Sequence, residues 1–326
     1  MYNDELKKSY LGTIANDNSY KACLRVFKAV EDMEIRYDKD ICEMNVDEIL
    51  TVLDLKTGTR STSIIQFMSL LRSYVDWCIQ NGKIVGENNF DKIDFKEIDH
   101  TNAIRGKYLK SVEEFEEICA VVYKRDAFYN ETTDMAKELM IRLLFAGMEN
   151  KEIVLLEKTG VDMENRILQS PVYPEIEYHV SQKVIDLCKY CINQEEVMYS
   201  APSKGSDDRM ERMANNKYVI RPRISALRGK SEDTPMNEAN ISRKAKDFFT
   251  DYYEATEIYK ELTPNRIRES AIMIQIHNSE NPDQFINTAI KTDIMLRNPG
   301  ITPYRLNEKL KRIKETYAVW LAAFYN

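Results

Sequence analysis

Ten glycines and nine prolines are spread through 326 residues, against averages of about 7% and 5% in soluble proteins. That shortage constrains the fold more than any other feature. A chain with so few turn formers has long stretches free to be helical, and it cannot be collagen-like or built from flexible linkers. The glycines are also isolated, at Gly12, Gly58, Gly82, Gly86, Gly106, Gly147, Gly160, Gly205, Gly229 and Gly300. No GxGxxG or GxxxxGK[ST] passes through them, which excludes a dinucleotide or P-loop enzyme of the usual kind. Apolar residues make up 43% and charged residues 30%, an ordinary globular balance, and the length suits about two domains.

Nothing in the composition points to export or to a metal. The start, Met1-Tyr-Asn-Asp-Glu-Leu-Lys-Lys, lacks the apolar core of a signal peptide. The longest apolar runs, such as Tyr317–Tyr325, are too short to span a bilayer. A cytoplasmic protein without membrane contact is expected. Six cysteines make no disulfide framework. Cys188 and Cys191 have CxxC spacing, but they lie in an apparently helical QKVIDLCKYCINQ with no second pair. Three-residue spacing on a helix puts both thiols near one face, so a helix face is expected rather than a metal site. No cofactor is called for. His100 and His277 read as surface or helix-end residues.

Periodicity gives a mainly α fold with a small antiparallel β-sheet. Leu24, Phe27, Val30 and Met33 mark one helix, and Asn45-Val-Asp-Glu48 reads as a capping box opening another. A third runs from the Arg60-Ser-Thr-Ser63 cap through Ile64, Phe67, Leu71, Val75 and Cys78 to the stop Asn81-Gly82. Residues 1–100 thus form a helical unit, whose polar end leads into a linker at 101–110, and residues 111–326 form the second unit. The second unit opens with the box Ser111-Val-Glu-Glu114, and Thr133–Met148 follows as a long helix. Short β-type runs at Arg166–Gln169 and Ile176–Val180 predict the sheet. Gln182–Ile192 and Ile241–Tyr253 are expected helices. Pro202–Lys230 reads as a basic loop with one short helix. Thr263-Pro264 and Thr302-Pro303 are matched helix starts.

Four segments then carry a family resemblance. SIIQFMSLLRSYVDWCIQNGKI (63–84) resembles the "lsalrsfydwl…gli" helix of a core-binding domain. YLKSVEEFEEIC and LLFAGMENKEIVLLEKTGVDMENRIL (143–168) resemble the "LTxeE" and "llxtGlRisEllxLkwsDid" segments of the catalytic domain. LTPNRIRESAIM (262–273) resembles "lTpHdlRhtfat". In this order they resemble the tyrosine recombinase (phage integrase) family over nearly the whole chain. The resemblance implies a helical core-binding domain followed by an integrase catalytic-like domain.

The departures decide the chemistry that the resemblance implies. A tyrosine recombinase holds the scissile phosphate with two arginines, because a fixed planar cation can grip the developing charge bidentately. It uses Lys or His as the acid and Tyr as the nucleophile. Here Glu149 stands in the "GlR" arginine position, after Gly147 and Met148, and Asn265 replaces the histidine of "HxxR". LQSPVYPEIEYHVS offers no hairpin lysine. Arg268 and the buried acid Glu152 are retained, and Tyr304 is the nearest stand-in for the nucleophile. The resemblance therefore implies a recombinase scaffold without strand exchange. At finer grain it resembles the integrase-like MrpR-type master repressor of a temperate bacterial phage, which would imply binding to double-stranded operator DNA to maintain lysogeny. A divergent active integrase and a purely protein–protein regulator, with a phage or host partner, remain as alternatives.

Net charge of −7, from 46 basic and 53 acidic residues, disfavours DNA only until it is divided along the chain. Residues 202–230 carry eight cations and three acids, and residues 291–314 carry seven and two. Local fields govern phosphate contact, since distant charges are screened. Candidate phosphate contacts are Lys204, Arg209, Arg212, Arg221, Arg223, Arg228 and Lys230, with Arg305 from the second cluster. Extended Arg221-Pro-Arg223 would project both guanidinium groups from one side. At the helix start, Asn265, Arg266 and Arg268 would meet an anion, although Arg268 has an alternative in a salt bridge to Glu149 or Glu152. In the first unit, Lys56, Arg60 and the Ser61–Ser63 cap could meet phosphate, and Arg72 could do so or pair with a nearby Asp. The apolar TYAVWLAAFY end is read as either a helix packed in cis or a surface for self-association.

Overall fold

The structure is a computed structural model, and it describes residues 1–56, 61–94, 98, 100–125, 131–201, 206–256 and 262–325. Arg60 and Lys204 lie outside these residues, as do the side chains of Lys56 and Arg209. The chain is mostly helical with small antiparallel sheets. It divides into two compact units, Met1–Arg105 with Arg312–Asn326, and Gly106–Lys311. The break lies between Arg105 and Gly106. The stretch around it is packed rather than solvated, because Ile104, Tyr108 and Leu109 are apolar and fully buried. The last fifteen residues group with the first unit, whereas the sequence reading left them with the second.

The first unit contains α1 (Asp4–Leu11), α2 (Asp17–Tyr37), α3 (Val46–Lys56) and α4 (Ser61–Gln80). Cap chemistry sets their ends as expected. Asn45 Oδ1 accepts from the Glu48 N–H at 2.9 Å while Glu48 accepts from the Asn45 N–H at 2.9 Å, a reciprocal box. Gly82, at φ 63°, ends the α4 segment in a left-handed turn that a side chain would strain. The core is aromatic, with Tyr74 against Phe27 and Tyr10 at ring separations of 4.9 and 5.3 Å. Inside it lies a charged group. Lys7, fully buried, donates to Glu34 at 2.6 Å and sits 3.7 Å from Asp40. The Tyr74 hydroxyl donates to Asp40 at 3.1 Å. Burial pushes the Glu34 carboxyl above its usual range against the pull of Lys7.

The second unit runs through α5 (Val112–Arg125), α6 (Glu131–Phe145) and α7 (Asn150–Leu155) into a three-stranded sheet of β1 (Val161–Asp162), β2 (Ile167–Gln169) and β3 (Glu177–His179). Ile167, Leu168 and Gln169 pair antiparallel with His179, Tyr178 and Glu177. Next come α8 (Gln182–Asn193), β4 (Glu196–Ala201), β5 (Ser206–Arg212), α9 (Glu238–Thr256), α10 (Pro264–His277), α11 (Pro282–Phe285) and α12 (Lys291–Arg297). The long α13 (Pro303–Tyr325) closes the chain. Ser111 caps α5 by accepting from the Glu114 N–H, but Glu114 accepts from the Lys110 N–H rather than from Ser111, so the box is not reciprocal; the Thr263 and Thr302 caps form. Cys188 and Cys191 are buried on α8, and burial pushes each thiol up to about 12.

One expectation fails in part. Residues 202–230 are not a loop throughout, because β4 and β5 pair as an antiparallel hairpin, with Val197 opposite Glu211 and Met198 opposite Met210. SDDRMER has neither β-branched residues nor apolar alternation, so no strand signal was available locally. The rest of the described segment matches the expectation, with residues 213–223 irregular and a short helical turn at Ile224–Leu227.

Candidate functional site

The recombinase-like residues converge in the second unit, where Glu149 caps α7 and Arg268 projects from α10. The approach is set by the end of α6. Gly147 takes φ 102°, and the Met148 and Gly147 N–H groups bond back to Leu143 and Leu144 at 3.1 and 2.9 Å, a C-terminal stop that favours glycine. The turn leaves the Gly147 carbonyl open, and Arg268 Nε donates to it at 3.2 Å. The other side of Arg268 faces Glu149, with Nη2 to Oε1 at 3.6 Å. The salt bridge weighed against phosphate contact is therefore present.

A second arginine completes the cluster, and sequence reasoning did not single it out. Arg297, at the end of α12, is only 7% exposed. Its Nη1 donates to Glu152 at 2.7 Å and its Nη2 to the Tyr178 hydroxyl at 2.7 Å. Its Nε donates to Asp293 at 2.9 Å, and Glu149 lies 4.0 Å away. Burial works against its charge, but Asp293, Tyr178 and Glu152 outweigh burial and hold the guanidinium above its ordinary range. In the sequence Arg297 counted as one cation of a surface cluster. Its burial depends on partners up to 150 residues away, which no local signal marks.

Glu152 is the hub. Fully buried, it accepts from Ser170 Oγ and Tyr178 OH at 2.6 Å each, from the Glu149 N–H at 2.8 Å, and from Arg297. Burial alone would raise its pKa. The four donors overcome that and hold the carboxyl below its usual range. The β2–β3 connection, where no lysine was found in the sequence, places Tyr173 instead, and its hydroxyl donates to Glu149 at 3.0 Å. Lys151 sits 3.4 Å from Glu149 and 4.7 Å from the Tyr173 ring.

Three cations (Lys151, Arg268, Arg297) thus face three carboxylates (Glu149, Glu152, Asp293). Such a group is internally compensated, and an arriving phosphate would have to compete with fixed carboxylates for the same guanidinium donors. No activated nucleophile stands in it either. The Tyr173 and Tyr178 hydroxyls are spent donating to carboxylates, and burial followed by the Glu152 bond pushes the Tyr178 phenol above its ordinary range. Tyr304 is 75% exposed in the first turn of α13.

The remaining candidates scatter. Arg221 is not a phosphate ligand. It is 7% exposed, and its guanidinium donates inward to the carbonyls of Ala214, Cys191, Ile192 and Gln194. The end of α8 leaves carbonyls without helical partners, and a buried arginine satisfies them. Arg223 therefore does not project beside it. It pairs with Glu211 at 3.0 Å. Arg266 packs on Tyr108, 4.6 Å from the ring, and bonds to Glu269 at 3.0 Å. Arg72 takes its alternative, a 2.6 Å pair with Asp91. Asn265, Arg212, Arg228, Lys230 and Arg305 are exposed. Among the described residues no His, Cys, Asp and Glu group could hold a metal ion, and no helix is long and apolar enough to cross a membrane.

Residues 1–80 match the family model described as MrpR, N-terminal core-binding domain. A relative from Bacillus subtilis (strain 168), the SPbeta prophage-derived uncharacterized protein YopR, is 21% identical over 307 residues, spanning 90% of this chain and 87% of its own. Among solved structures, XerA recombinase aligns at TM-score 0.39 and 12% identity, over 95% of this chain and 97% of that one. The Tn1549 transposon integrase in complex with circular intermediate DNA aligns at 0.38 and 14%, over 86% and 88%. Residues 1–80 are thus similar to an MrpR core-binding domain, and the chain is similar to a prophage protein.

Proposed function

We propose that the chain is a prophage regulator that binds double-stranded DNA on a recombinase-like scaffold, represses transcription and does not exchange strands. One observation carries the second half of this reading: Glu149 occupies the position expected of a phosphate-gripping arginine and is engaged by Arg268, Tyr173 and Lys151. A carboxylate held there opposes a phosphodiester, and loss of a single transition-state donor already costs about 10²–10³ in rate. The first half is supported by the core-binding family match and the prophage relative, together with the exposed cations Arg212, Arg228, Lys230 and Arg305. Operator binding that keeps a prophage silent is the role these observations favour.

The test pairs two assays on one set of prophage promoter fragments. Mobility shifts should show sequence-selective binding that weakens steeply with salt, with a slope set by the number of phosphates neutralised. A nicked suicide substrate should give no covalent adduct. A covalent adduct lost in Tyr304→Phe would make the protein an active recombinase instead. Absence of any salt-sensitive shift would leave it a protein–protein regulator.

A further inference from the structure

A cavity of about 160 Å³ lies in the second unit between α6, α9, β4 and the Arg221–Ala226 segment, away from the Glu149 cluster. Five cationic residues line it: Lys137, Arg221, Arg223, Arg243 and Lys244. No Asp or Glu is among the described lining residues. The remaining wall is apolar, chiefly Met140, Met213, Met236 and Val197, with Gln194 and Asn240 as neutral polar groups. We propose that this cavity binds a small organic anion, one carboxylate or phosphate carried on a compact apolar body.

The charge pattern of the lining favours an anionic occupant. Arg223 has Glu211, and Arg243 donates to Asn240 at 3.0 Å, but Asn240 brings no negative charge. Arg221 spends its terminal nitrogens on backbone carbonyls, which are neutral, and its buried Nε has no hydrogen-bond partner. Lys244 is half-buried. Asp247 on its own helix favours its charge, yet burial and then Lys137, with Arg243 and Arg223 behind it, hold the ammonium below its usual range. Glu195 acts on Arg221 from outside the lining, and an anion seated in the recess would offset the repulsion and burial that hold Lys244 below its usual range. The volume sets the size: a cavity of about 150 Å³ accommodates a single benzene ring. Methionine walls suit a compact apolar group of variable shape, and forked arginine with lysine suits a carboxylate or phosphate. The inference is independent of DNA binding.

The test is thermal melting and calorimetric titration of the full chain with phenyl phosphate, benzoate, inorganic phosphate and benzylamine. Phenyl phosphate and benzoate should bind, and at ten times Kd each should favour the folded state about 11-fold. Benzylamine should produce no shift, and inorganic phosphate should bind more weakly than phenyl phosphate. Lys244→Met should weaken phenyl phosphate at least ~10-fold, the loss expected of one charge-assisted bond. Ala136→Phe, which fills the cavity and leaves every cation in place, should abolish it, and ligand-free melting of both variants verifies that they fold. Equal binding of benzylamine, or phenyl phosphate affinity unchanged in both folded variants, would overturn the proposal. So would inorganic phosphate matching phenyl phosphate, because the apolar wall would then contribute nothing.

Discussion

Replacing Arg297 with Met tests whether the compensated cluster is a structural unit. The side chain is 7% exposed and its main partner, Glu152, is fully buried, so the substitution leaves a carboxylate in the interior without its cation. Removing one member of a buried pair costs about 3–5 kcal/mol. Glu152 keeps Ser170, Tyr178 and the Glu149 N–H as donors, and the Asp293 side chain, 43% exposed, is rehydrated. Both favour the lower end, about 3 kcal/mol. Arg297→Lys should lose less, because it keeps the charge and gives up only the fork. The pH dependence has a fixed sign. In the native protein Glu152 titrates below its ordinary 4.5, so its ionised form adds stability above that value and the gain disappears as pH falls through the lower, folded value. Without Arg297, burial gains on the donors and the folded value moves upward. The variant then takes up its proton at higher pH than the native protein, and the stability gap narrows on acidification. Urea unfolding at pH 7 and pH 5 measures both effects. A gap under about 1 kcal/mol at pH 7, or one that widens towards pH 5, would refute this account of the cluster.

Two further perturbations separate structural cations from DNA-facing ones. Arg221→Met should destabilise the chain by about 2–4 kcal/mol, because several buried carbonyls lose their donor, yet leave the salt slope of DNA binding unchanged. Arg228→Gln and Lys230→Gln should each lower that slope by about one and leave the urea midpoint within error; the opposite pattern would restore Arg221 as a phosphate ligand. In the first unit, Lys7→Met should cost about 3–5 kcal/mol by stranding Glu34 and Asp40 in the core. Adding Glu34→Gln should recover part of it, and equal unfolding midpoints for the single and double variants would show that no coupling exists.

What was legible in the sequence was local. The capping box at Asn45, the Ser111 cap and the two Thr-Pro helix starts need only residues within four positions of one another, and all of them form. The β2–β3 pairing followed from a visible change of period around Pro171 and Pro174. β5 escaped because a strand of Asp, Asp, Arg, Glu and Arg owes its place to its partner β4 rather than to its own composition. The arginines show the same limit in charge. Counting placed Arg221, Arg223 and Arg297 in basic surface clusters, since a sequence tallies formal charges but not backbone acceptors. Four carbonyls and Glu211 claim the first two, and Glu152, Tyr178 and Asp293 claim the third. With Lys217, itself exposed, paired to Glu157, the 202–230 cluster presents Arg212, Arg228 and Lys230 as its remaining exposed described cations. A DNA surface built on them has a weaker field than the sequence arithmetic suggests. On the proposed DNA-binding reading, part of the affinity comes from the first unit, where the core-binding family match lies. Charge reversals confined to the second unit should accordingly weaken DNA binding without abolishing it.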